Sequence, residues 1–95
     1  MTVYVDPLMS HGWVLHGRSV KNCHMFTDGT LEELHAIAER IGMMRSAFQA
    51  SASTPHYDLT PERRAAAIGA GAVEVDRRQA VRIWRALREA RRHES

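Results

Sequence analysis

Apolar positions recur with two different periods along this chain, and the changes of period divide it into elements. Thr2-Val3-Tyr4-Val5 is a short β-branched and aromatic run stopped by Asp6-Pro7, which is a strand signal. From 7 to 21 no period holds, because Ser10, Gly12, Gly17 and Ser19 interrupt it, so the stretch reads as a long loop. Cys23 to Phe26 reads as a second, short buried strand. The period then lengthens to that of a helix, with Leu31, Leu34, Ile37, Ala38 and Ile41 on one face. Thr30 and Glu33 supply a capping box for this helix, and Gly42 a left-handed stop. Residues 43–49 read as a third strand ending at Gln49, and 50–54 as an exposed polar loop.

Thr60-Pro61 starts the next helix, with a hydroxyl cap followed by proline where its missing N–H costs nothing. That helix is alanine-rich and ends at Gly69 and Gly71. Ala72-Val73-Glu74-Val75 alternates like a fourth strand, and Asp76 with Gln79 caps a final helix over about 77–91. In it Ala80, Ile83, Trp84, Leu87 and Ala90 share one face, with Arg78, Arg82, Arg85 and Arg92 opposite. Alternation of strand and helix predicts a single α/β domain over 1–95: a small, mainly parallel sheet of about four strands with helices packed on it.

Composition narrows the class. A hydrophobic content of 44% suits a globular chain, and no apolar run approaches the ~20 residues of a membrane span. The start of the sequence lacks the basic region of a secretory signal, and the single Cys23 cannot close an internal disulfide. A cytoplasmic protein with no membrane partner is the expectation. The formal charge is only +2, but it is unevenly spread: from 77 to 95 there are seven arginines against two glutamates. Arginine's planar fork suits phosphate, and the same bias also arises from a GC-rich coding sequence.

Candidate chemistry concentrates at Pro55-His56-Tyr57-Asp58-Leu59, where coil is expected between two helix-forming stretches. If strands one and two are parallel, Asp6 and Asp28 emerge at carboxyl ends, the edge on which open α/β sheets bind ligands. Asp6, His24, His56 and Asp58 are then candidate ligands of a divalent metal ion, since histidine with carboxylate suits zinc and other transition metals. Asp6-Pro7 and Asp28-Gly29 are also ordinary turn dipeptides. His35 and Tyr57 are candidates for positioning substrate, although His35 reads first as a half-buried histidine bonded to a neighbouring loop. Arg78, Arg82 and Arg85 are candidate phosphate contacts. The spacing matches no compact metal motif such as H-E-x-x-H or paired C-x-x-C. Cys23, facing away from His24 on its strand, reads as a buried small hydrophobe.

The segments Val3-Tyr4-Val5-Asp6-Pro7, Cys23-His24-Met25-Phe26, Glu33-Leu34-His35-Ala36 and Pro55-His56-Tyr57-Asp58-Leu59-Thr60 together make the chain resemble a domain-of-unknown-function family of short bacterial and phage proteins. The resemblance runs from residue 1 to about 85 and implies a stand-alone small domain without implying an activity. Three function classes accommodate the residues. The first is a metal-dependent hydrolase acting on a phosphate-containing substrate. The second is a non-catalytic module for a nucleotide or nucleic acid, and the third a partner-binding protein with a structural histidine network.

Overall fold

The computed structural model describes residues 2–50 and 54–94, so the core of the expected 50–54 loop, residues 51–53, lies outside the described residues. The strands are β1 (Val3–Val5), β2 (Met9–Leu15), β3 (Arg18–Thr27), β4 (Tyr57–Leu59) and β5 (Val73–Glu74). The helices are α1 (Leu31–Arg40), α2 (Pro61–Gly69) and α3 (Arg77–Glu94), with a 3₁₀ turn at Arg45–Ala47.

The α/β class holds, but the sense of the sheet does not. Its five strands form a mixed sheet in which β3 pairs antiparallel with β1, β2 and β4. Among the described residues only β1 and β5 pair in parallel, through Tyr4↔Val73 and Val5↔Glu74. The cause lies in the 7–21 stretch read as a loop. It holds β2 and the start of β3, joined by a tight hairpin at His16 and Gly17, whose φ angles of 53° and 77° are both positive. A two-residue hairpin turn with positive φ at both positions matches the twist of its strands, and glycine takes the second place at no steric cost. Cys23–Phe26 is thus only the far end of a ten-residue β3. The alternation was hidden by a register shift between Ser10 and Trp13, the irregularity expected where an extra residue bulges from a ladder.

A second correction concerns 43–49. That stretch forms the 3₁₀ turn and a single bridge, Gln49↔His56, instead of a strand. The strand lies one step later, in the segment read as a coil: β4 is Tyr57–Leu59, pairing with Cys23–Met25 of β3.

The helix starts agree with their sequence signals. Thr30 and Glu33 complete a capping box on α1, and Gly42 follows its end at φ 81°. Thr60 accepts from the Arg63 N–H at the start of α2. Asp76 and Gln79 exchange two hydrogen bonds at the start of α3, at 2.9 and 2.7 Å. Strand alternation sends Val3, Val5, Cys23, Met25, Tyr57 and Leu59 to one face, where they pack with Leu34 and Ala38 of α1 and Ala67 of α2. Tyr4, Phe26 and Val75 meet Ala80, Ile83 and Trp84 of α3 in a second, smaller core. Helices on both faces make three layers.

Candidate metal centre

Residues opposite one another in antiparallel strands point to the same face, and so do residues two apart along one strand. His24 of β3 stands opposite Asp58 of β4, so the two share a face, and His56, two residues before Asp58, joins them. Asp6 arrives along the other edge of β3. Its backbone N–H donates to the His24 carbonyl at 3.1 Å, extending the β1 ladder by one step before Pro7, which has no N–H, ends it. The Asp6 side chain then turns back on His24: Oδ1 accepts the His24 backbone N–H at 2.6 Å, and Oδ2 lies 2.8 Å from the ring Nδ1.

Both imidazoles are oriented through Nδ1. That of His56 lies 2.8 Å from the Thr54 carbonyl, which can only accept, so this nitrogen carries the proton. The Asp6 carboxylate sets the same proton position on His24. In the neutral rings Nε2 is therefore the acceptor nitrogen, and both Nε2 atoms face one oxygen, Asp58 Oδ1, at 3.8 Å from His24 and 3.4 Å from His56. The rings meet edge to face with centroids 4.8 Å apart. One ligand atom from each of His24, His56 and Asp58 fits within 4.8 Å of the others. Donors around one tetrahedral ion at bonds of ~2 Å stand about 3.3 Å apart, so the three need little movement to share an ion. Fixing the remote ring N–H on a carboxylate or carbonyl is how metal-binding histidines are usually held.

The electrostatics follow from the same contacts. The Asp6 hydrogen bond raises the His24 pKa above its ordinary value, burial opposes the rise, and the charges of Asp6 and Asp58 add to it. An ion at Nε2 would compete with a proton for that nitrogen. Cys23, on the opposite face, is no rival ligand: burial pushes its thiol up to about 12.

Of the residues singled out by sequence, His24, His56 and Asp58 come together with Asp6 behind them. Asp6 spends its two oxygens on His24, so it orients that ring from outside the three-atom group. Tyr57 alternates away from its neighbours and is buried in the main core, its hydroxyl 2.7 Å from His35 Nδ1. His35 is buried as well, bonded to a strand tyrosine instead of a loop, and both lie across the sheet from the cluster. Asp28 does not share the Asp6 edge, because β1 and β3 are antiparallel. It accepts from the Thr2 N–H and the Tyr4 hydroxyl at the other end of β1. Arg78, Arg82 and Arg85 are exposed and line a shallow groove on α3 with Arg77 and Val81.

Two contributors carried no signal in sequence. Arg64, in an alanine-rich helix, donates to the Asp6 carbonyl at 2.9 Å and to Glu74 at 3.0 Å, pinning the end of β1. Arg77 lines a cleft of about 260 Å³ beside the cluster, between Asp6 and His24 on the sheet and Val81 and Trp84 on α3. Trp84 closes its floor, edge-on to His24 with centroids 5.8 Å apart.

Searches of curated proteins and of solved structures gave no match to the chain. The profile of one family, described as "Protein of unknown function (DUF4031)", matches residues 3–87, and the chain belongs to that family.

Proposed function

We propose that the protein is a metal-dependent hydrolase of a phosphate-containing substrate, with one divalent ion held by His24 Nε2, His56 Nε2 and Asp58. The observation that carries this reading is the pairing of two imidazoles whose Nδ1 protons are engaged behind them while both Nε2 atoms face one carboxylate oxygen. Three protein donors would hold the ion with positions to spare, and its chemistry there would be to acidify water and to polarise a phosphate oxygen. Hydrolysis would form one P–O bond to water and break the ester P–O bond, with a proton passing to the leaving oxygen. Arg78, Arg82 and Arg85, with Arg77, offer positive charge along α3 for phosphate oxygens.

The test is elemental analysis of protein purified without added metal, followed by chelation, reloading and assay on p-nitrophenyl phosphate and its diester. The expected result is one divalent ion per chain, with hydrolysis lost on chelation and restored by the ion. His56→Ala and Asp58→Ala should lose both ion and activity. A native chain that takes up no divalent ion would sink the proposal. The arginine groove favours a second reading, a non-catalytic nucleic-acid-binding module. Salt-dependent DNA or RNA binding that is indifferent to Asp58→Ala, without hydrolysis, would support it.

A further inference from the structure

The cleft beside the histidine pair is built unlike the arginine groove on the outside of α3. Its walls are mainly apolar, with Met9 on the sheet side facing Val81 and Trp84 on the helix side. Two polar features break that lining. One is the Asp6–His24 pair, whose histidine belongs to the candidate metal group. The other is Arg77, at the first position of α3. The Arg77 guanidinium contacts only a soft acceptor, Met9 Sδ at 3.4 Å, and no carboxylate pairs with it among the described residues. A guanidinium with no carboxylate partner among the described residues, lining the same cleft as His24, suits an anion. A volume of about 260 Å³ walled by thioether, isopropyl and indole accommodates one flat apolar group.

From this geometry we infer that the cleft binds a small phosphate monoester carrying one planar apolar group, with Arg77 gripping the phosphate and the ring lying between Met9 and Trp84. Nucleoside monophosphates and aryl phosphates share that chemistry, as does the phosphorylated end of a nucleic-acid strand. This deepens the hydrolase reading and rests on it for the ester class. It gives Arg77, which borders both the arginine groove and this cleft, a specificity role of its own, and it sets a size limit: one nucleotide unit enters, and a duplex does not. Recognition by Arg77 does not pass through the ion, so binding and metal loading are separable.

The experiment titrates phenyl phosphate, adenosine 5′-monophosphate, inorganic phosphate and a 5′-phosphorylated dinucleotide into native protein, first with chelator and then with zinc. The indole N–H signals in NMR report the binding. Native protein should bind the two monoesters in both states, and inorganic phosphate at least tenfold more weakly, because it leaves the apolar walls wet. Arg77→Ala should weaken monoester binding about tenfold or more, the usual effect of losing a charged hydrogen bond to phosphate. Arg77→Lys should restore part of that loss, and Arg88→Ala, on the same helix outside the cleft, should change nothing. The dinucleotide separates the sources: binding equal to that of the mononucleotide identifies a strand end, and weaker binding a free nucleotide. If Arg77→Ala binds as well as native protein, or if inorganic phosphate binds as well as the monoesters, the inference is overturned while the metal reading stands. If Arg77-dependent binding persists in a chain that takes up no zinc, the cleft is confirmed and the hydrolase reading falls.

Discussion

Asp6 is the residue on which the proposed centre depends without supplying a ligand. Its carboxylate receives both the backbone N–H and the ring nitrogen of His24, which fixes where that ring points and which nitrogen bears the proton. Asp6→Asn keeps the size and one acceptor but removes the charge. Zinc affinity should then fall about 10–100-fold, the usual cost of losing a partner behind a metal-bound histidine. Asp58→Ala should abolish binding, and competition with a chromophoric chelator measures both. Equal affinity for Asp6→Asn and native protein would remove the orienting role. His35 is the residue to watch in acid. Burial, reinforced by Arg45 and opposed by Glu39, lowers its pKa from the ordinary 6.5. The unfolded chain therefore takes up a proton at His35 before the folded one does. The stability held by neutral His35 is complete above pH 6.5 and is lost as pH falls through the folded value. His24 has the opposite sign, so native protein shows the sum, and His35→Gln isolates the effect. Urea melts from pH 7 to pH 5 should show a shallower loss of stability on the acid side for His35→Gln; parallel curves would contradict this.

At the scale of the element, α3 is the piece whose docking decides whether the cleft exists. Its segregation of apolar and basic faces was plain in sequence: Ala80 is buried, Ile83 and Trp84 half-buried, and Arg82 and Arg85 exposed. Trp84 nonetheless sits at the boundary of its core, tilted against Phe26 at 5.4 Å and edge-on to His24 at 5.8 Å, instead of being sealed inside. Trp84→Ala should therefore cost about 3 kcal/mol, the lower end of the range for aromatic truncation in cores. It should also open His24 to solvent, whereas Trp84→Phe should retain most of both. Chemical denaturation checks the first, and an unchanged midpoint would show that α3 does not depend on this contact. The helices were legible because each carries its own signals within a few residues, the Thr30–Glu33 and Asp76–Gln79 caps above all. The strands were not. β4 has three residues and β5 two, too few to establish a period, and β2 is interrupted by its register shift.

At the scale of the whole molecule, the candidate ligands could be named from sequence, but their grouping could not be derived from it. His56 and Asp58 declared themselves as polar groups in succession, two apart. What brings His24 to them is the β3–β4 register, and what brings Asp6 is the β1–β3 register; one residue of slip in either would turn a partner to the other face. The expected convergence was argued from parallel strands and came about through antiparallel ones. This construction has a thermodynamic consequence. The donors lie on β3 and on the β4 segment, distant in sequence, with the β1 end fastened behind them by Asp6 and by Arg64 of α2. An ion shared by these donors exists only when the sheet is assembled, so its binding energy adds to folding. At a free zinc concentration 100 times its dissociation constant the gain is about 2.7 kcal/mol. In a domain of this size that corresponds to a rise in Tm of roughly 10–20 °C. Differential scanning calorimetry with zinc and with chelator should show this rise in native protein, a reduced one in Asp6→Asn at the same zinc concentration, and none in His56→Ala or Asp58→Ala. A rise that survives in Asp58→Ala would place the ion elsewhere in the molecule, and the three-residue centre with it would be lost.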